Sequence, residues 1–169
     1  MRPLPFLLAF VCLCLQVCRG DTKDSIQSEG VIAAPVAAVW AAWTTTEGLK
    51  SWLAPQADID LKVDGLMRAN YQAGSSLEDK TTIVNRVLSY EPGRMLSIRV
   101  ARAPEGFPFP NAIKSMWTVM YFDKVSETET RMRVVSLGFG PDDESQKMRA
   151  FFEKGNAFTL QQLQKRFSK

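Results

Sequence analysis

A chain of 169 residues that is 46% hydrophobic and 23% charged is of a size for one domain with a sizeable core. It has no histidine, and its three cysteines, Cys12, Cys14 and Cys18, all lie near the start. Triads that rely on histidine are therefore excluded, and the usual zinc, copper and iron ligand sets cannot be built in the rest of the chain. A net charge of +3 with no dense Lys/Arg cluster gives no argument for a nucleic-acid partner.

The opening stretch, MRPLPFLLAFVCLCLQVCRG, has Arg2 as a positive start, an apolar run from Leu4 to Val17, and Cys18-Arg19-Gly20 before Asp21. This is the form of a secretory signal peptide, with cleavage expected after Gly20. The run is shorter than the ~20 apolar residues of a spanning helix, so no stable membrane span is expected after cleavage. Lipid attachment at Cys18 is the minor alternative, since Gln16 and Val17 are poor neighbours for it. Cleavage removes all three cysteines, together with Arg2 and Arg19, and leaves a nearly neutral, cysteine-free chain suited to an oxidising compartment. Residues 21–169 are then read as one secreted or periplasmic domain.

After a polar lead-in, Ser25 to Ala33 reads as a first strand. Pro35 then opens a helix in which Val36, Val39, Trp40 and Trp43 share one face. Thr45 is the expected N-cap of a second short helix carrying Leu49, Trp52 and Leu53, with Pro55 shortly after it. Next, Ile59, Leu61 and Val63 alternate with Asp58, Asp60, Lys62 and Asp64, a strand with one wet face that Asp64-Gly65 would turn into Leu66–Gln72. Thr81–Tyr90 and Met95–Arg102 form a further strand pair around Glu91-Pro92-Gly93-Arg94. The connection Pro104–Lys114 carries three prolines with Phe107 and Phe109, either as a plug or as a gate. Ser115–Val125 and Glu129–Phe139 form the last hairpin, with Trp117, Val119 and Tyr121 on one face and Met132, Val134 and Ser136 on one face of its mate.

Asp142 to Phe167 reads as one long helix, acidic at its start and basic at its end. Met148, Phe152, Gly155, Thr159, Leu163 and Phe167 trace its stripe, flanked by Phe151 and Leu160. At ~1.5 Å per residue it is long enough to cross a twisted sheet.

The stretch P-V-A-A-V-W followed by T-T-T-E-G-L-K-S-W-L-A-P, Pro35 to Trp40 and then Thr44 to Pro55, resembles the SRPBCC (START-like) superfamily. Within it the chain is most similar to the activator of heat-shock ATPase homologue-like branch. The resemblance implies an α+β helix-grip fold: two short helices after the first strand, and a curved antiparallel sheet of about six to seven strands around the long C-terminal helix. It also implies an apolar cavity between sheet and helix, where relatives hold lipids, sterols, polyketides or hormones. Thr46 stands where the family commonly has proline, and Asn156 where many relatives have an aromatic residue.

Candidate cavity residues are Trp43, Met67, Tyr71, Phe107, Phe109, Trp117, Tyr121, Met132, Phe152, Gly155 and Asn156. Trp40 and Trp52 are expected to brace the short helices, and Asn70, Asn85 and Arg99 are polar strand residues whose direction depends on register. No acid/base pair, metal site or cofactor motif is apparent, and Asp58, Asp60 and Asp64 read as a solvated face. The expected function is an exported protein holding a small hydrophobic molecule. A cyclase or dehydratase using Tyr71, Arg99 or a buried carboxylate, and a co-chaperone-like interaction protein, are the alternatives.

Overall fold

The computed structural model describes residues 24–168, so the expected leader and its cleavage point lie outside the described residues. The chain forms strand β1 (Ser25–Ile32), helices α1 (Val36–Thr44) and α2 (Thr46–Lys50), then β2 (Gln56–Ile59), β3 (Leu66–Asn70), β4 (Ile83–Glu91), β5 (Met95–Arg102), β6 (Trp117–Lys124) and β7 (Thr130–Leu137), and finally α3 (Asp143–Phe167). A 3₁₀ turn at Ala112–Lys114 interrupts the long β5–β6 connection. All strands join one antiparallel sheet in the order β1-β7-β6-β5-β4-β3-β2. This is the element order of the helix-grip fold that the sequence implied.

Thr45 joins the two short helices. Its hydroxyl donates to the Ala41 carbonyl at 2.9 Å and accepts from the Gly48 amide at 2.9 Å, so one side chain closes α1 and caps α2. Trp52 adds a second tie, donating its indole N–H to the Ala42 carbonyl at 3.0 Å. Trp40 meets Phe122 of β6 edge-on at 5.3 Å. Both tryptophans therefore brace the helix pair, as the sequence suggested.

Two strand boundaries differ from the sequence reading. β2 stops at Ile59, because Asp64 and Gly65 turn away to exchange backbone hydrogen bonds with Val87 of β4, each at 2.9 Å. Asp64 takes a left-handed conformation with φ 65° there, and Val63 is left exposed. β3 ends at Asn70, whose side-chain oxygen accepts from the Gln72 amide at 3.1 Å and starts a turn in place of the ladder.

The interior falls into two apolar clusters. The larger gathers Ile32, Val39, Trp43, Leu49, Leu96, Met120, Met132, Leu160 and Leu163, beneath the helix pair and the second half of α3. The smaller packs Ile26, Ile113, Met116, Phe139 and Met148 beneath the first half. At ~1.5 Å per residue α3 is about 37 Å long, enough to serve both. It is tied on one flank to β1, where Arg149 donates to the Ser25 carbonyl at 3.2 Å and Gln164 to the Val31 carbonyl at 3.1 Å.

The two helical glycines should respond oppositely to alanine. A Cβ on Gly48 would fall 2.1 Å from the Ala41 carbonyl oxygen, whereas one on Gly155 meets nothing within 4 Å. Gly48→Ala is expected to lower unfolding free energy by about 3 kcal/mol through overpacking at the helix joint. Gly155→Ala is expected to raise it by ~0.5–1 kcal/mol through helix propensity. Urea denaturation of the two variants checks both signs.

Candidate functional site

The two clusters do not close completely, and between them lies a cavity of about 290 Å³. That is just below the ~300–1,000 Å³ typical of small-molecule pockets. Its sheet wall comes from alternate residues of five strands: Met67 and Ala69, Ile83 and Asn85, Ile98 and Val100, Thr118 and Met120, and Val134. Phe152, Asn156 and Thr159 of α3 form the opposite wall. Trp43 stands at one end, and Pro104, Phe107, Ile113 and Met116 close the other. Among the described residues, no Asp, Glu, Lys or Arg lines it.

Six of the candidates read from the sequence meet at this cavity: Trp43, Met67, Tyr71, Phe107, Phe152 and Asn156. Trp43 is 5% exposed and packs edge-on against Trp52 at 4.8 Å. Its indole N–H is enclosed and has no hydrogen-bond partner among the described residues. An unpaired buried donor of that kind costs on the order of 1–3 kcal/mol. Tyr71 stands at the mouth, 57% exposed, yet protein atoms crowd its phenol enough that desolvation raises its pKa.

The other five candidates lie elsewhere. Trp117 and Tyr121 face the outside of the sheet, where the Arg133 guanidinium sits 4.4 Å above the Tyr121 ring. Register decides this: Tyr121 pairs with Arg133 and Trp117 with Leu137, while Thr118, Met120 and Phe122 pair with the inward Ser136, Val134 and Met132. Every position from Trp117 to Phe122 except Thr118 is apolar, so alternation in the sequence could not choose the face. Met132 is fully buried within the larger cluster rather than on the cavity wall.

Phe109 packs outside the cavity against Phe107 and Phe151, with ring centres 5.6 and 5.7 Å apart. Phe107 itself also meets Phe151 at 6.0 Å, and it divides the cavity from a more open hollow of about 350 Å³ beside Gly106, Pro110 and Lys114. Gly155 is exposed on α3 and borders a shallow groove of about 190 Å³ outside the mouth, next to Trp52, Tyr71 and Phe158.

Of Asn70, Asn85 and Arg99, Asn85 alone lines the cavity. Arg99 is exposed and pairs across the ladder with Arg86 on the outer face. Asn70 is fully buried, but its amide is spent on the 71–82 loop, donating to Thr81 and Thr82 hydroxyls at 3.0 Å each. Asp58 forms a two-pronged ion pair with Arg68, whose Nε lies 3.0 Å from Oδ1, and the pair raises the arginine pKa. Asp60 meets Lys62 at 2.8 Å. Among the described residues no group of acidic side chains is arranged to hold a metal ion.

A polar chain that sequence reading missed crosses the roof of the cavity. Asn156 donates from Nδ2 to Ser136 Oγ at 3.1 Å, and Ser136 is in turn 3.1 Å from the Thr118 hydroxyl. Ser136 is fully buried and locks the other two. Thr118 and Ser136 each stand between apolar sequence neighbours, which was the available signal, but only the register makes them partners.

The far wall is held by Glu144 in the first turn of α3. Its Oε1 accepts from the Asn111 amide at 2.8 Å and the Ala112 amide at 3.1 Å, and these bonds hold its carboxyl below the ordinary range. Asp142 caps the same helix by accepting from the Ser145 amide at 3.0 Å.

A family profile described as Activator of Hsp90 ATPase homolog 1-like protein matches residues 33–168. Solved structures share the fold. A protein from Mesorhizobium loti is 19% identical with a TM-score of 0.64, over 84% of this chain and 95% of that one. The Aha1 dimer from Colwellia psychrerythraea is 16% identical with a TM-score of 0.64, over 85% and 95%. CalU16 from Micromonospora echinospora is 20% identical with a TM-score of 0.61, over 85% and 76%. At such identities the likeness carries the fold alone. No curated protein matches the chain by sequence.

Because the folded-state pKa of Glu144 is depressed, its contribution to stability is present above the ordinary glutamate range and is lost as pH falls through it. Glu144→Gln is therefore expected to lower the urea midpoint at neutral pH. The gap from the unmodified protein should narrow on acidification, and a gap independent of pH would contradict the assignment.

Proposed function

The chain belongs to the Activator of Hsp90 ATPase homolog 1-like family, and from that premise we propose that it is an exported protein that encloses one small hydrophobic molecule between its sheet and α3. The observation that carries this reading is the cavity of about 290 Å³ whose wall is mostly apolar and bears no carboxylate, lysine or arginine among the described residues. Met67, Met116 and Met120 give that wall adaptable surfaces. Export is supported by the leader-like composition of residues 1–20 and by the cysteine-free remainder. Among the described residues no helix is long and apolar enough to cross a membrane.

The cyclase or dehydratase reading has less support, because Arg99 faces outward and, among the described residues, Tyr71 is the one ionisable side chain at the cavity. Activation of a heat-shock ATPase is what the family description names. Export would separate this chain from a cytosolic, ATP-driven chaperone, so retention of the uncleaved chain inside the cell would favour that reading instead.

A neutral fluorescent probe, N-phenyl-1-naphthylamine, tests the binding reading. Its emission should rise to saturation at one probe per chain. Ile98→Trp, which places a larger side chain against the empty space, should weaken binding at least about tenfold with no loss of thermal stability. Equal affinity in the two proteins, or no saturable binding to either, would contradict it.

A further inference from the structure

We propose that the molecule held here is uncharged and carries a hydroxyl group, and that Asn85 and Asn156 are the residues that recognise that group. This rests on the ligand-binding reading above and narrows it to a chemical class: neutral alcohols or phenols on an apolar skeleton.

Charge is the first constraint. An ionised carboxylate or ammonium entering a cavity lined without Asp, Glu, Lys or Arg would lose its hydration and find no opposite charge in return. Tyr71, the one ionisable group at the cavity among the described residues, has its pKa raised and stays neutral at physiological pH. Free fatty acids and organic acids of the same size are thereby selected against.

Hydrogen-bonding capacity is the second constraint. Asn156 donates one Nδ2 proton to Ser136, which the Thr118 hydroxyl holds in turn, and this fixes the amide with its Oδ1 as an oriented acceptor beside the cavity. Asn85, on the sheet wall, makes no side-chain hydrogen bond with any described residue and offers both a donor and an acceptor. The Thr159 hydroxyl has committed its proton to the Gly155 carbonyl at 2.9 Å and is left as an acceptor only. A ligand hydroxyl both donates and accepts, so it satisfies what these two amides offer. A ketone uses only a donor, and a hydrocarbon uses neither and displaces the water that would otherwise serve both. A site built around hydrogen bonding discriminates strongly against the analogue that lacks the group.

Asn156 is thus a specificity residue rather than a packing one, and its direction is set from behind by Ser136. The same position filled by an aromatic side chain would convert the roof to an apolar surface and leave Ser136 to Thr118 alone. The mostly apolar remainder of the wall, from Met67 to Phe152, leaves the skeleton of the ligand free to vary.

The test uses the full-length protein loaded with N-phenyl-1-naphthylamine and displaced by three compounds of nearly one shape: naphthalene, 2-naphthol and 2-naphthoate. The expected order is 2-naphthol at least about tenfold tighter than naphthalene, with 2-naphthoate weakest. In Asn156→Leu, which keeps the side-chain shape, the preference for 2-naphthol over naphthalene should fall severalfold. Equal binding of naphthol and naphthalene by the unmodified protein, or tightest binding of naphthoate, would overturn the proposal while leaving the cavity a ligand site. Failure of the probe itself to bind would remove the ligand-binding reading and this inference with it. The comparison among three ligands needs no variant, so it decides the matter even if Asn156→Leu does not fold.

Discussion

One helix has to serve two apolar clusters, and the site follows from that constraint. α3 covers the larger cluster with Leu160 and Leu163 and the smaller one with Met148, while its β1 flank is tied by Arg149 and Gln164. Held near both ends and along one side, it cannot settle onto the middle of the sheet. The residues above the gap, Phe152, Asn156 and Thr159, therefore stand over a cavity instead of inside a packed core. Buried apolar surface contributes ~25 cal/mol per Å², so leaving that volume unfilled costs stability that a better-packed middle would have gained. A small molecule filling the gap would offset part of that cost.

The rest of the structure maintains that gap. Thr45 and Gly48 fix the joint of the helix pair, which positions Trp43 at one end of the cavity. At the other end Glu144 draws the Asn111–Ala112 turn against α3, and the Phe107, Phe109 and Phe151 rings interlock around it. The remaining flank of α3 is the open one. There Tyr71, Phe151 and Phe158 are half exposed or more, an apolar rim around the way in. The family membership fixes the architecture, but the polar atoms on the wall belong to this chain.

Much of the fold was legible in the sequence because its signals are local. Pro35, Thr45 and the spacing of the tryptophans announce the helix pair, and charge at the two ends of α3 marks its limits. The candidate site was only half legible, and each miss has a physical cause. Trp117 and Tyr121 sit in the almost wholly apolar stretch from Trp117 to Phe122, where period-two alternation carries no information about which face is inside. Gly155 falls in the helix stripe with the cavity candidates, yet it is exposed and a Cβ there would meet nothing. Asn70, whose direction register alone could decide, is buried and completes a loop. The Thr118–Ser136–Asn156 chain depends on residues far apart in sequence, and only the β6–β7 register and the lie of α3 bring them together. Local chemistry announced elements, whereas the direction of a side chain within a sheet is a property of the whole pairing.

The central claim is that the gap beneath α3 is a binding site for a small neutral molecule. Native mass spectrometry of the protein purified from its own host addresses it most directly. The account predicts the chain beginning at Asp21 with one organic adduct that is lost on denaturation and is uncharged at neutral pH. Bare protein under conditions that preserve non-covalent complexes, or an adduct that proves to be an organic acid, would contradict it.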